Sequence, residues 1–327
     1  MIIPARNEEV SIGALLEALK QQTYPKEYYE VIVIDDHSED RTADIVRQFK
    51  DVKLLQNDHV NNSFKKKAIE KGIAAATGEL IMATDADCIP PVEWLQTIAA
   101  FRKENQSVFV AAPVSIDCTS SLVQVFQAMD FMVLQGITGA VVYKNKMSMC
   151  NGANLAYDKK VFIEVNGFGG VDHIASGDDM LLMHKIWLKN PGKVRYLKSK
   201  DAIVLTKPVK TWKQFFSQRI RWASKARLYD DKRILPVLAL VYLVNFSFLS
   251  LLLVGFSDHR YWITAGIFLI LKTLVELPFF WSLSIFFDKQ WAVKWFPFFQ
   301  PLHIGYTIIS GLFGQMGRYK WKGRNVR

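Results

Sequence analysis

Two aspartates separated by one small residue carry the sharpest chemistry in this 327-residue chain. They are Asp85 and Asp87 in the string TDADC, directly after the apolar run 80–83. Carboxylate oxygens are ligands that Mg²⁺ and Mn²⁺ prefer, and a cation held here could bridge to the oxygens of a diphosphate. Because a D-x-D string recurs by chance, its position at the end of a predicted strand carries the argument. We therefore predict a divalent metal site at Asp85 and Asp87.

Polar clusters also follow the first and second apolar runs of the chain. The string PARNE occupies 4–8, and the string DDHS occupies 35–38. Taken singly, each cluster is compatible with ordinary turn and helix-cap chemistry. Three clusters at three strand ends instead favour one binding site, because ligands of parallel sheets bind at the carboxyl ends of the strands.

The elements that must position these clusters are visible in the hydrophobic pattern, which alternates short apolar runs with helical periods. The apolar runs are 2–3, 31–34, 52–55 and 80–83, and the helical periods are 8–21, 42–49, 65–76 and 92–102. Such alternation predicts βα units with right-handed crossovers. The fold class is therefore α/β.

Two later strings combine residue types that suit a ligand cleft. The first consists of Asn151, Gly152, Ala153 and Asn154. Its small residues permit close backbone approach and its amides can bond ligand hydroxyls, although an ordinary turn is the alternative. The second, SGDD at 176–179, precedes a helical run. It could cap that helix, or one of its carboxylates could accept a proton during catalysis.

The C-terminal part of the chain is almost continuously apolar. No charged residue occurs from 234 to 256, so this segment qualifies as a membrane span. The segment 261–287 is similar, but carries Lys272 and Glu276 at i, i+4, which we expect to pair on a protein-facing side. Prolines interrupt 291–313, which is compatible with a third span or with a re-entrant or interfacial segment.

These patterns predict a soluble domain at 1–230 that ends in an interfacial amphipathic helix at about 211–230, followed by a transmembrane region at 231–327. The basic tail at 318–327 favours the cytoplasm, and we expect domain 1–230 on the same side. Three full spans would place the tail and the domain on opposite sides of the membrane. We therefore predict two full spans, with the third segment re-entrant or interfacial, in an integral protein of the cell (inner) membrane.

Charge and cysteine content limit the classes of binding partner that we expect. The formal net charge is +10, with basic clusters at 65–71, 207–233 and 318–327. No nucleic-acid-binding motif accompanies them, so we expect anionic membrane lipids and a pyrophosphate as partners and no nucleic acid. The three cysteines lack C-x-x-C spacing, which argues against disulfides and a zinc site. The chain opens without a signal peptide and already inside the first predicted strand, which is compatible with a reading frame that extends upstream.

The ordered set of strings resembles the donor half of the family 2 inverting glycosyltransferases, which have the GT-A fold. In order, the strings are IPARNEE, IDDHSED, FKKKAIEKGIAAATGEL, TDADC, NGANLAY, SGDD and QRIRW, and together they cover most of 1–230. The resemblance implies a Rossmann-like mixed sheet, a nucleotide diphosphate sugar as donor, and a lipid or glycan as acceptor. One departure is Phe64, which stands where the family often has glycine before the donor-site lysine.

By resemblance, roles pass to individual residues. The implied donor-binding residues are Pro4, Ala5, Glu8, Asp35, Asp36, Lys65, Asp85 and Asp87. Asp36 would bond the base, and Asp87 would be the more direct of the two metal ligands. Asp179 would be the general base, with Asp178 beside it. The 151–154 string would shape an acceptor cleft, with its amides bonding sugar hydroxyls. The Q-x-x-R-W residues Gln218, Arg221 and Trp222 would contact the diphosphate and the acceptor.

Three other functions remain open on the sequence. A processive polysaccharide synthase shares Q-x-x-R-W, but normally has more membrane helices. A membrane-anchored nucleotide-sugar binding protein would not need Asp179 or the 151–154 string. A nucleotidyltransferase would carry a Gly-rich phosphate loop after the first strand, and IPARNEE is not such a loop.

Overall fold

A computed structural model describes residues 1–58, 64–118, 121–170, 177–225, 230–315, 319–321 and 324–326. The side chain of Phe64, Ser176 of the SGDD string and the side chains of the basic tail lie outside the described part. In chain order the elements are β1 (Ile2–Ala5), α1 (Ile12–Lys20), β2 (Val31–Asp35), α2 (Thr42–Val46), β3 (Val52–Gln56), α3 (Phe64–Ala75), β4 (Leu80–Ala83), β5 (Cys88–Ile89), α4 (Trp94–Asn105), β6 (Phe109–Ala111), β7 (Val114–Ile116), α5 (Leu122–Tyr143), β8 (Leu155–Asp158), α6 (Lys159–Glu164), α7 (Asp178–Lys189), β9 (Val194–Tyr196), β10 (Val204–Thr206), α8 (Trp212–Ser224), α9 (Ile234–Val254), α10 (Arg260–Phe286), α11 (Phe296–Gly314), β11 (Tyr319–Trp321) and β12 (Arg324–Val326).

The main sheet has seven strands in the order β3-β2-β1-β4-β8-β6-β9. Strands β1 to β4 are mutually parallel, and β8 runs antiparallel to both of its neighbours, β4 and β6. The predicted alternation of strands and helices is therefore confirmed, and so is the mixed character of the sheet. Because β1, β2 and β4 are parallel and adjacent, the polar strings that follow them meet at one edge.

The chain divides into two compact units, which are described separately. The first comprises 1–117 and 137–207, and the second comprises 118–136 and 208–327. The core of the first unit lies around the main sheet, where Ile2, Ile34, Phe109, Tyr157 and Ile186 are buried. Ile186 lies on α7 and the other four lie on strands, and β2 is buried along its whole length, as a sheet covered by helices on both faces requires.

The second unit contains the N-terminal part of α5 together with α8 to α11. Helix α8 begins with a capping box between Thr211 and Gln214, close to the predicted start of the interfacial helix. Many large apolar side chains of α9 and α10 are exposed, among them Leu240, Leu253 and Ile270. Without a membrane, this surface would be costly, because apolar area exposed to water is unfavourable.

Within the described residues, three helices are long and apolar enough to cross a membrane, namely Leu122–Tyr143, Ile234–Val254 and Arg260–Phe286. The last two agree closely with the predicted spans 234–256 and 261–287. The first was not anticipated, but most of its apolar window is buried inside the protein, which explains its composition. The third predicted segment, 291–313, becomes a short 3₁₀ helix followed by α11, and α11 is not among the three.

Polar side chains bond to each other inside the second unit. Asp130 of α5 forms an ion pair with Arg219 of α8 at 2.6 Å and accepts a hydrogen bond from the hydroxyl of Tyr306 in α11. Lys272 and Glu276 pair at 2.8 Å, as predicted from their spacing, and Gln300 of α11 bonds to both. These contacts connect helices that are otherwise held by apolar packing.

Candidate active site

Residues from five of the predicted strings line one cleft at the carboxyl edge of the main sheet, whereas the DDHS string and Asp87 are not part of its lining. Pro4 comes from the end of β1, Asp85 from the loop after β4, and Lys65 from the first turn of α3. Gly152 comes from the loop before β8, and Asp178 and Asp179 come from the start of α7. The floor is apolar and consists of Ile69, Ala83, Leu155, Tyr157, Phe168 and Leu182.

An ion pair connects the two donor-side strings. The ammonium of Lys65 lies 2.7 Å from Oδ1 of Asp85, and both side chains are partly exposed to the cleft. Burial on its own would lower the pKa of the Lys65 ammonium, but Asp85 and the carboxylates of Asp178 and Asp179 outweigh burial and raise that pKa above its ordinary value. Lys65 therefore carries a positive charge at neutral pH and can neutralise part of an acidic cleft.

The D-x-D pair lies on the loop between β4 and β5, with Asp85 and Asp87 both partly exposed. Among the described residues, no group of three or more His, Cys, Asp or Glu side chains could hold a metal ion by itself. Mg²⁺ is commonly bound through one or two carboxylates, with phosphate oxygens and water completing its shell. The pair therefore fits a cation whose shell a diphosphate completes. That Asp87 is the more direct of the two metal ligands stays a prediction.

The region after β2 is built around buried carboxylates. Asp35 and Asp36 are 3% and 6% exposed. The side-chain amide of Asn57 donates to Oδ1 of Asp36 at 2.8 Å, and the backbone N–H of Asn57 donates to the carbonyl of Asp35. Asn57 follows β3 and is fully buried, so it orients the predicted base-binding residue. We did not single it out from the sequence, although its position after the third apolar run was a usable signal.

Residues 5–8 connect β1 to α1. Ala5 is buried, and its carbonyl accepts a hydrogen bond from the backbone N–H of Asp36. The backbone N–H of Glu8 donates to the hydroxyl of Thr42, and its carbonyl accepts from the first amides of α1. This arrangement holds the strings after β1 and β2 together, which is where a shared nucleoside pocket was predicted.

Asp179, at the start of α7, accepts hydrogen bonds from two backbone N–H groups. Gly152 donates to its Oδ2 at 2.8 Å, and Met180 donates to its Oδ1 at 2.9 Å. Gly177 precedes the helix with φ of 83°, a conformation that glycine adopts without strain. Asp178 is 8% exposed, whereas Asp179 is partly exposed. Of the two carboxylates, Asp179 is thus the more accessible to an acceptor hydroxyl.

The 151–154 string divides into residues that line the cleft and residues that are buried. Gly152 lines it, and the side chain of Asn151 accepts a hydrogen bond from the backbone N–H of Ala153. Asn154 is fully buried, and its side-chain amide bonds to Trp94, Pro113 and Ala202. A sugar contact through Asn154 stays a prediction, and its observed surroundings give it a structural role. Burial raises the pKa of the neighbouring Cys150 thiol, and the charges of Asp179 and Asp178 raise it further, so this cysteine stays protonated.

Gln218, Arg221 and Trp222 lie on α8 in the second unit. Gln218 accepts a hydrogen bond from Arg219 at 3.0 Å, and the ring of Trp222 lies 4.2 Å from the Arg219 guanidinium. Their predicted contacts with diphosphate and acceptor stay predictions. Arg219, which the motif does not specify, is buried in this helix together with Phe215, and only the tertiary structure identifies its partner Asp130.

Comparison with known proteins decides the family. The model of the Glycosyl transferase family 2 domain matches residues 1–165, half of the chain. The chain belongs to glycosyl transferase family 2. Members of this family are transferase enzymes, and the matched segment includes the D-x-D pair, Lys65 and the 151–154 string.

Two curated relatives of this family 2 chain are similar over shorter stretches. A probable glycosyltransferase, YdaM, of Bacillus subtilis is 29% identical over 68% of this chain and 54% of its own length. The glycosyltransferase AglE of Haloferax volcanii is 38% identical over 29% of this chain and 32% of its own length. The chain thus spans about half or less of the curated relatives it matches.

A solved structure shares the fold. The mannosyltransferase PcManGT of Pyrobaculum calidifontis, solved in complex with GDP-Man and Mn²⁺, aligns with a TM-score of 0.53 at 19% identity, over 92% of this chain and 86% of that protein. The likeness supports the GT-A-like mixed α/β fold of the family 2 chain.

Proposed function

We propose that this family 2 enzyme is a membrane-bound inverting glycosyltransferase. It transfers a sugar from a nucleotide diphosphate sugar to a lipid or glycan acceptor at the cytoplasmic face of the cell (inner) membrane. The observation that carries the proposal is the cleft in which Lys65, Asp85 and Asp179 meet at the carboxyl edge of the sheet. A binding protein would need the donor-side residues, but would have no use for an accessible carboxylate fixed by two N–H groups.

The chemistry follows from the charges of the cleft. Asp179 accepts the proton of the acceptor hydroxyl as that oxygen forms a bond to the anomeric carbon of the donor sugar. The bond between the sugar and the diphosphate breaks on the opposite side, so the anomeric configuration inverts. Lys65 supplies positive charge beside the leaving diphosphate. A divalent cation, Mg²⁺ or Mn²⁺ bound through Asp87 and Asp85, offsets the charge that develops on that diphosphate. The complex of PcManGT with Mn²⁺ supports the use of such a cation.

Two kinds of observation support the membrane part of the proposal. Helices α9 and α10 are long and apolar enough to span a bilayer, and only 11% of each apolar window is buried inside the protein. The charged pair in α10 is bonded to Gln300 rather than left open, as an ionisable group in hydrocarbon requires. An acceptor in or at the membrane, such as a lipid, is the simplest partner for an enzyme placed there.

A donor screen tests the activity. Purified membranes containing the full chain are incubated with UDP-glucose, UDP-N-acetylglucosamine or GDP-mannose, and released nucleoside diphosphate is measured with and without lipid extract. We expect release with one donor that lipid extract stimulates, and we expect release from membranes containing Asp179→Asn to be slower by about 10² to 10⁴. Release from neither membrane with any donor would count against a transferase of this type. A ladder of product lengths would instead favour a processive synthase.

A labelling experiment tests the two-span topology. A cysteine replaces Gln315 at the end of the described part of the second unit, or Ser257 in the turn between α9 and α10, and both residues are exposed. A membrane-impermeant maleimide added to intact cells should label Ser257→Cys and leave Gln315→Cys unlabelled. Labelling of Gln315→Cys from outside would show that α11 completes a third span.

A further inference from the structure

The side chain of Asn154 is fully buried, and both ends of its amide are used. The indole N–H of Trp94 donates to its Oδ1 at 2.9 Å. Its Nδ2 donates to the carbonyls of Pro113 and Ala202, each at 2.8 Å. Because Trp94 offers only a donor and the two carbonyls only acceptors, the amide has a single satisfying orientation. Asn154 is therefore fixed to three separate segments of the first unit.

The backbone around Asn154 is fixed as well. Its N–H donates to the carbonyl of Asn151 at 3.1 Å, which closes the 151–154 turn, and its carbonyl accepts from the N–H of Ala112. The hydroxyl of Thr84, buried next to Asp85, donates to the carbonyl of Ala153 at 2.8 Å. The end of the turn consequently has no freedom to rotate.

The backbone N–H of Gly152 is the donor of this turn that points into the cleft. The N–H of Ala153 is used within the turn by Asn151, whereas the N–H of Gly152 donates to Oδ2 of Asp179 at 2.8 Å. A carboxylate held at both oxygens by N–H groups keeps one plane, and hydrogen bonds to its ionised form stabilise that form. The orientation and basicity of Asp179 thus depend on where the turn places one amide.

We propose that Asn154, anchored by Trp94, is a positioning residue for Asp179: it fixes the 151–154 turn so that the Gly152 N–H holds the carboxylate in the cleft. Asn154 and Trp94 touch neither donor nor acceptor in this role. The inference rests on the proposed function of Asp179 as general base. It assigns to Asn154 a different role from the sugar contact that its amide side chain suggested.

The variant Trp94→Phe removes the indole N–H and keeps an aromatic ring in the buried position. With the most active donor of the screen above, we expect kcat to fall by about 10-fold to 100-fold, as for a misplaced catalytic group, while the KM for the donor stays unchanged. Trp187→Phe is the matched control, since its indole N–H bonds Asn145 away from the cleft, and it should behave as wild type.

A double-variant cycle separates positioning from general structural damage. In an Asp179→Asn background the base is already absent, so adding Trp94→Phe should lower the residual kcat by no more than about 2-fold, the ordinary additivity error. An equal loss in both backgrounds would overturn the proposal. If Asp179→Asn itself kept normal turnover, the assignment of the general base would be wrong. A Trp94→Phe variant with wild-type kinetics would instead overturn only the positioning role.

A readout without activity covers the case in which Trp94→Phe folds poorly. Thr84→Val removes the other side-chain bond to the turn and keeps the side-chain shape. Hydrogen–deuterium exchange of the full chain in detergent, followed by mass spectrometry of the peptide around 150–158, should show faster exchange in Thr84→Val and Trp94→Phe than in Trp187→Phe. Unchanged exchange in both variants would show that the turn does not depend on these anchors and would overturn the proposal.

Discussion

The two units of this protein distribute polar and apolar side chains in opposite ways. The first buries Ile2, Ile34 and Phe109 inside and places its carboxylates at the open edge of the sheet. The second exposes Leu240 and Ile270 and buries the ion pair of Asp130 with Arg219 between α5 and α8. The hydrophobic effect explains the first pattern in water. The second is the pattern expected in hydrocarbon, where apolar surface is cheap to expose and polar groups must be satisfied internally.

Charged side chains therefore have different roles in the two units. In the first unit, charged groups converge on a cleft, and changing them should alter rate or binding more than stability. In the second unit, charged groups bond to each other across helices, and changing them should alter stability first. The following experiments test this difference between the units.

Removal of divalent metal should have the largest effect. Because Asp85 and Asp87 are the only protein ligands proposed for the cation, EDTA should abolish sugar transfer, and added Mn²⁺ or Mg²⁺ should restore it. The unfolding midpoint in EDTA should stay the same, since no cluster of three ligands among the described residues makes a structural metal site. Full activity in chelator, or unchanged kinetics of Asp87→Ala, would remove the metal from the mechanism.

Asp179→Asn should lower kcat by about 10² to 10⁴, the usual contribution of a general base. The substitution keeps the shape and one oxygen acceptor for the Gly152 N–H, so the fold should be unaffected. Donor binding, measured by protection of the protein against thermal unfolding, should survive because the donor pocket uses other residues. Near-normal turnover would transfer the role to Asp178, and Asp178→Asn is the comparison variant.

Asp130→Asn should mainly destabilise the second unit. The change leaves Arg219 buried without its counter-charge, since the two side chains are 3% and 4% exposed, and breaking such a pair typically costs about 3–5 kcal/mol. The measurement is the unfolding midpoint of the full chain in detergent. Asp258→Asn, which removes an exposed pair with Arg260, is the control and should leave the midpoint unchanged. Equal midpoints for both variants would refute the structural role of the Asp130 pair.

Glu276→Gln should have a smaller effect on stability. Lys272 would keep its hydrogen bond to Gln300 but lose its charge partner on the same helix. The interhelical bond between Gln300 and residue 276 would weaken, and such contacts are worth about 0.6 kcal/mol on average. The double variant Lys272→Met with Glu276→Leu removes both charges and should recover most of the loss. A double variant less stable than Glu276→Gln would indicate that the pair contributes more than mutual neutralisation.

Much of the first unit could be predicted from local patterns. The strands after which Asp36 and Asp85 occur, and the helix that Asp179 opens, lie where periodicity placed them. The pairing of Lys272 with Glu276 followed from i, i+4 spacing alone. The apolar helix Leu122–Tyr143 was missed, because a helix buried in protein and a helix in lipid have similar compositions, and only packing distinguishes them.

The amino-acid sequence by itself determined the α/β order of the first unit, the acidic and polar strings at its strand ends and the two long apolar helices. These depend on side-chain periodicity and on contacts between neighbours in the chain. Only the tertiary structure decided that Lys65 pairs with Asp85, that Asn154 is anchored by Trp94, and that Asp130 binds Arg219. The physical reason is that these partners are far apart in sequence, so hydrogen bonds and ion pairs between them depend on how the strands and helices pack.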